Sequence, residues 1–289
     1  MNSKKRFVFL ILHYQNMEYT KKCVSSIVSS CKKSNYKIII VDNNSPNKTG
    51  ETLKEMYNQD SNIVVILSRN NLGFSGGNNI GLKYINDNYE YDFIVMINND
   101  VEIIDEKFCE IITEEYNKFN FHVMGPKVYL KDGSVDQYPF EPMTKKALKK
   151  QIRNFSLYLV LCKAHLHKIL RIILDKRKRR NYRSVDKTES RVNVVLSGCA
   201  LIFSASYFEK YYGINDKTFL YKEEQLLYHR LMRSNMTSLY SPRTYVLHNE
   251  GVSTNTMYKA LRNKMIMYYQ NQLKSGRILL NYINDNNQR

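Results

Sequence analysis

Phe93-Ile94-Val95-Met96-Ile97-Asn98-Asn99-Asp100-Val101 is an apolar run that stops on three side chains able to hold a cation or a phosphate-bearing ligand. Four to eight consecutive apolar residues suit a strand buried on both faces, and open α/β sheets bind their ligands just beyond the carboxyl ends of such strands. Asp100 is therefore a candidate ligand for a hard divalent cation, with Asn98 and Asn99 as neutral oxygen donors or hydrogen-bond partners. Taken alone, the same residues also read as a strand closing in an Asx turn.

Similar runs stand upstream. Phe7 to Leu12 closes in His13-Tyr14-Gln15-Asn16, and Tyr36 to Val41 closes in Asp42-Asn43-Asn44-Ser45-Pro46. Between them Tyr19, Cys23, Val24, Ile27 and Val28 recur at helical spacing, and Thr49 to Tyr57 offers a second short amphipathic helix. Ile63 to Leu67 is a fourth apolar run, and a helical stretch from Ile80 to Ile85 precedes the Phe93 strand. Strands alternating with helices predict an α/β fold, a mostly parallel sheet flanked by helices.

Gly73, Gly76, Gly77 and Gly81 invite a dinucleotide reading, but they follow the Ile63–Leu67 run and lack the Gly-x-Gly-x-x-Gly spacing at the first strand-to-helix turn. What remains is a loop whose small residues admit a nucleotide sugar, with Asn78 as a polar contact, or a purely structural turn.

These motifs together, His13-Tyr14-Gln15-Asn16, Val41-Asp42-Asn43, Asn71 to Gly81 and Ile97-Asn98-Asn99-Asp100-Val101, resemble the family 2 glycosyltransferases of GT-A fold, most closely the bacterial rhamnosyltransferase-like and capsule or O-antigen polysaccharide group. The resemblance implies that His13 and Tyr14 cradle the nucleobase, that Asp42 hydrogen-bonds it, and that Asn99 and Asp100 hold metal and diphosphate. Asn98 departs from the pattern, since many members carry Asp there; Asp100 is left as the one anionic ligand of the triplet.

Ser197 to Phe203, followed by Gly213 to Leu227, is similar to the family's acceptor-side segment, which ends in a carboxylate pair opening a helix. The pair here is Glu223-Glu224, and the resemblance makes Glu224 the general base. Negative charge at a helix amino terminus is also ordinary capping. Tyr245-Val246-Leu247-His248 is a further short apolar run, and by the same resemblance His248 completes the shell of a divalent cation, Mn²⁺ or Mg²⁺.

Charge is unevenly spread. Residues 141–191 hold 16 Lys and Arg against 4 Asp and Glu, so +12 of the chain's +17 lies there. Within this segment Ile152, Phe155, Leu159, Cys162, Leu166, Leu170 and Ile173 recur every three or four positions, and Lys176-Arg177-Lys178-Arg179-Arg180 follows. A basic amphipathic helix of this kind over 145–183 reads as a device for lying on an anionic membrane surface, or as a solvated insertion packed on the catalytic domain. Lys163, His165 and His167 oppose a transmembrane span. No signal peptide is read in the opening residues, which places the protein in the cytoplasm, peripheral on the inner face of the cell membrane. The five cysteines are odd in number and form no Cys-x-x-Cys pair, so reduced buried thiols are expected.

The expected organisation is a nucleotide-sugar-binding half over 1–140, the basic helical insertion over 141–191, an acceptor half over 192–256 and a helical tail over 257–289. The expected reaction is inverting transfer of a sugar from a UDP or dTDP donor to a hydroxyl of a growing, polyprenyl-linked glycan. Two other classes compete. A nucleotidyltransferase shares the architecture, yet strand one here ends without the glycine-rich basic loop such enzymes open with. A nucleic-acid-binding protein would explain the charge, but no recognition motif accompanies it and no dedicated nucleic-acid role is expected.

Overall fold

The computed structural model describes residues 4–178, 188–249 and 261–285. Strands β1 (Arg6–His13), β2 (Asn35–Asp42), β3 (Ile63–Leu67) and β4 (Phe93–Asn98) lie in the order β3-β2-β1-β4, all parallel. They alternate with helices α1 (Met17–Ser30), α2 (Thr49–Met56) and α3 (Gly73–Asn88). Register then decides where the motifs meet. Leu12 pairs with Asn98 and His13 with Asp42, so three strand ends that are far apart in sequence stand side by side at one edge of the sheet.

Beyond β4 the sheet becomes mixed. β8 (Ala200–Ser204) runs antiparallel to β4 and to β6 (Val123–Leu130); β6 in turn lies parallel to β9 (Ser238–His248). The short β5 (Val101–Ile103) and β7 (Arg191–Val192) pair antiparallel with β9. The architecture is α/β, with a mostly parallel mixed sheet between helical layers.

Strand alternation builds two cores. Phe9, Ile11, Ile38, Ile40, Val95 and Ile97 face α1 and α4 (Phe108–Phe119), whereas Leu10, Ile39, Val41, Ile94 and Met96 face α3 and α8 (Glu223–Arg233). The glycine-rich stretch is not the loop that its composition suggests: it is the first two turns of α3. A Cβ on Gly77 would stand 2.6 Å from Leu12 Cδ1, and one on Gly81 would stand 2.2 Å from Leu10 Cδ1. These two glycines bring the helix backbone close to the sheet, so close packing, and not ligand approach, accounts for them.

The basic insertion also differs from the single helix expected over Ile152–Ile173. It is two helices, α5 (Lys145–Lys163) and α6 (His167–Lys178), broken at His165, whose φ is +64°. Leu148 and Ile152 pack with Leu279, and Phe155, Leu159, Cys162 and Leu170 pack with Tyr269, on the long terminal helix α9 (Leu261–Asn284). Most of the apolar stripe is therefore spent on α9. Ile173 and the side chains of Lys176, Arg177 and Lys178 lie outside what the structure describes, as do Arg179 and Arg180. No described helix is long and apolar enough to cross a membrane. The short α7 (Ala205–Phe208) follows β8 directly.

Candidate active site

At the nucleotide edge, His13 is fully buried, with Nδ1 2.7 Å from Thr20 Oγ1 and Nε2 2.9 Å from Thr49 Oγ1. Burial lowers its pKa to about 4 against the opposing pull of Asp42, so the ring is neutral at physiological pH. Both ring nitrogens are engaged by threonine hydroxyls, and Asp42 Oδ1 lies 3.9 Å from Nε2, beyond hydrogen-bond distance. Asp42 Oδ2 accepts from the Ser45 amide, while the buried Oδ1 has no hydrogen-bond partner among the described residues. A buried carboxylate oxygen left open in this way is costly unless a ligand donor reaches it. Tyr14 is half-buried beside this edge.

Asn78 is not on a loop. It lies inside α3, nearly fully buried, with Nδ2 donating 2.9 Å to Phe74 O and Oδ1 unpartnered among the described residues. Asn99 is also buried and donates to Thr20 Oγ1 at 3.1 Å, which ties the end of β4 to α1.

Asp100 and His248 come together across the β5–β9 ladder, with Asp100 Oδ1 3.4 Å from His248 Nε2. Asp100 is further held through its backbone carbonyl, which accepts from the Asn249 amide at 2.9 Å. Among the described residues no group of three or more His, Cys, Asp or Glu side chains is placed to hold a metal. One carboxylate and one imidazole fit a divalent cation that takes its remaining oxygens from a bound diphosphate and water, the usual arrangement for a hard ion shared with substrate phosphates.

A cavity of about 580 Å³ joins the two halves. Asn98, His248, Glu223, Glu224, Asp136 and Tyr138 all line it. The Glu pair opens α8, as the carboxylate pattern implied, and the two residues before it, Tyr221 and Lys222, both have φ of +72°. Left-handed backbone at two consecutive non-glycine residues is strained and persists only where neighbours over-determine it. Here Ser275 Oγ donates to Leu220 O at 2.7 Å, Lys222 Nζ donates to Gln151 Oε1 at 2.7 Å, and Thr218 Oγ1 donates to Glu223 Oε1 at 3.2 Å.

Electrostatics at this wall favour protons. Burial, followed by the neighbouring Glu224 charge, pushes Glu223 up to about 8. Burial raises Glu224 as well, opposed by its own backbone amide, the Lys222 charge and a hydrogen bond from the Tyr138 hydroxyl. Lys222 is lowered, chiefly by burial. With Glu223 already holding its proton at neutral pH and Glu224 raised above the ordinary carboxylate range, Glu224 is the member of the pair equipped to take up a proton.

Sequence reasoning did not single out Asp136, Tyr138 or Lys222. Ser197 Oγ donates to Asp136 Oδ2 at 3.1 Å, which joins the Ser197-Gly198 and Asp136–Tyr138 segments where both line the cavity. No local pattern in the sequence marks them. Gly198 stands close to the pair: a Cβ there would lie 3.1 Å from Glu224 Oε1, a contact that the carboxylate would have to shift slightly to accept.

Comparison with known proteins bears on the family and the fold. The family model described as Glycosyl transferase family 2 matches residues 9–212. The low-salt glycan biosynthesis hexosyltransferase Agl10 of Haloferax volcanii is 25% identical over 264 residues, covering 89% of this chain and 73% of that protein. Among solved structures, S. aureus TarS 1-349 in complex with UDP has a TM-score of 0.53 at 13% identity, covering 92% of this chain and 71% of that one. GalNAc-T7 with UDP, GalNAc and Mn²⁺ has a TM-score of 0.57 at 11% identity, covering 86% and 44%. Likeness at such identities establishes the GT-A fold.

Proposed function

We propose that this chain, which belongs to glycosyl transferase family 2 and is a glycosyltransferase drawing on a nucleotide-sugar donor, transfers the sugar with inversion to a hydroxyl of a growing, lipid-linked cell-surface glycan. One observation carries the reading: a single cavity is lined by the Glu223-Glu224 pair together with Asn98 and His248, the latter 3.4 Å from Asp100. A base and a diphosphate-facing site are thus within one substrate's reach. The family match also weighs against the nucleotidyltransferase and nucleic-acid readings.

In this mechanism the nucleobase of a UDP or dTDP donor sits at the β1–β2 edge, where it supplies the hydrogen-bond donor that Asp42 Oδ1 lacks, beside Tyr14 and the neutral His13. UDP is the nucleotide named with two of the structural neighbours, and it is the first choice here. Asn99 anchors the end of β4 to α1, and Asn78 stiffens the start of α3 beneath the sugar. A divalent cation held by Asp100 and His248 would stabilise the charge gathered on the departing diphosphate as a Lewis acid. Glu224 takes the proton from the attacking acceptor hydroxyl, a contribution of typically about 10²- to 10⁴-fold. Tyr138 holds that carboxylate ionised and aimed, and Glu223 keeps its own proton beside the charged Glu224 until Glu224 is neutralised by the proton it takes. Attack from the side opposite the leaving diphosphate, in one step, inverts the anomeric centre.

The acceptor is read as lipid-linked because the segment 141–191 carries most of the chain's net positive charge, which suits an enzyme peripheral to an anionic membrane. A thermal-shift screen of nucleoside diphosphates and their sugars, with and without Mn²⁺ or Mg²⁺, tests the donor assignment. Selective stabilisation by UDP or dTDP is expected. Equal response to purine nucleotides, or none to any, would overturn it, and the anomeric configuration of the product decides the stereochemistry.

A further inference from the structure

Among the described residues twelve large apolar side chains are exposed, and six of them, Leu157, Val160, Leu166, Ile169, Ile172 and Leu261, fall at one corner of the molecule. Scattered singly, such residues are unremarkable; half of them gathered on one corner mark a contact surface. The corner is where α5 turns into α6 and α9 begins. Arg262 ties it together, with Nε donating to Cys162 O and Nη2 to Lys163 O, both at 3.0 Å. Leu157 and Val160 lie three apart on α5, and Leu166, just before α6, is followed at the same step by Ile169 and Ile172 on it. This face is distinct from the stripe of Phe155, Leu159, Cys162 and Leu170, which is used against Tyr269.

The rim decides the occupant. Arg153, Lys163, Lys168 and Arg171 are exposed around the apolar residues, and no Asp or Glu occurs between Glu141 and Asp175. Apolar side chains bordered by uninterrupted positive charge match an anionic lipid interface, where the former enter the headgroup boundary and the latter meet phosphates. The same helix reaches the transfer cavity. Gln151 of α5 lines the cavity and holds Lys222, and Leu157 is six residues further on, about 9 Å along a helix axis.

We propose that the outer face of the α5–α6 corner inserts into the interface of an anionic bilayer and thereby sets the transfer cavity at the depth of a membrane-held acceptor. This rests on the lipid-linked acceptor reading above and adds to it a defined apolar insertion surface, beyond attraction by the polybasic run.

The chain contains no Trp, so a single indole reports cleanly. Ile169→Trp should show a blue-shifted emission with phosphatidylglycerol vesicles and a weaker one with phosphatidylcholine, whereas Met56→Trp, exposed on α2, should show none. Part of the shift should survive high salt, because the Debye length falls from about 10 Å at 0.1 M to about 3 Å at 1 M while apolar burial is unaffected. Replacing Leu157, Val160 and Ile172 together by Ser should lower the vesicle-bound fraction about ten-fold with donor-induced thermal stabilisation unchanged. Absence of any shift with anionic vesicles overturns the proposal. So does complete loss at 1 M salt, which would mean charge attraction alone, or a shift that grows with protein concentration without vesicles, which would mean an interface between copies. Transfer to a short soluble acceptor, assayed in the same samples, separates the two failures: transfer without vesicle binding sinks the insertion face only, and vesicle binding without transfer sinks the transferase mechanism only.

Discussion

His248 Nε2 stands 3.4 Å from Asp100 Oδ1, an approach made by the antiparallel pairing that sets Val101 opposite His248. Neither strand alone makes a cation site. β5 is three residues long and is held in place by β9, so the pair exists only when the far end of the sheet has folded.

Asp100→Ala and His248→Ala should therefore each reduce the dependence of nucleoside-diphosphate binding on divalent cation, Asp100 the more because it supplies the charge. Titration calorimetry of the diphosphate with and without Mn²⁺ measures this. Full turnover of the wild-type enzyme in excess EDTA would remove both residues from the ligand set.

Glu224→Gln keeps the shape of the cavity and should lower kcat by at least about 10²-fold with donor affinity nearly unchanged. Glu223→Gln should cost less. The reverse order would transfer the base to Glu223, and near-normal turnover in both would exclude this carboxylate pair from proton transfer.

Tyr138→Phe removes a hydrogen bond that favours the ionised form of Glu224. Because the base works as a carboxylate, activity rises with pH through its raised pKa, and losing the Tyr138 hydroxyl should move that acid limb to still higher pH. The expected signature is a kcat/KM loss that is largest at low pH and shrinks as pH rises. A loss uniform across pH would reduce Tyr138 to a packing role.

Glu223 makes stability itself pH-dependent. Its pKa is about 8 when folded against an ordinary 4.5, so the folded state binds the proton more tightly. Its stabilising contribution is complete below the unfolded pKa and is lost as pH rises to the folded one, across about pH 4.5 to 8. Melting temperature should fall over that window in the wild type and fall less in Glu223→Gln; identical slopes by calorimetry would contradict the assignment.

Gly81→Ala should destabilise the fold by about 1–3 kcal/mol through overpacking, because the added methyl would meet Leu10 Cδ1 at 2.2 Å and Val41 Cγ2 at 3.0 Å. Denaturant unfolding measures the change. A neutral result would mean that α3 does not depend on close approach to the sheet.

Much of this protein is written locally. Ile63 to Leu67 is the third strand as its apolar run implies, and β1, β2 and β4 end within a residue or two of the polar groups that close their runs, because burial on both faces demands continuous apolar side chains and ends where polar ones begin. Glu223 and Glu224 open α8 as the carboxylate pair suggests, since that position satisfies helix amides. Local pattern misread the glycines of α3, whose purpose is set by Leu10 and Leu12 on another element, and the α5–α6 insertion, where a stripe of apolar residues does not say which partner it meets. Asp136 and Tyr138 enter the cavity only through long-range packing. The sequence by itself determined the strands, the helices and the chemistry at their ends, because those follow from periodicity and side-chain type. Only the tertiary structure decided that Asp100 meets His248, that Tyr138 meets Glu224 and that Leu157 and Ile169 stay exposed, because strand register and helix facing are settled by contacts between residues far apart in the chain.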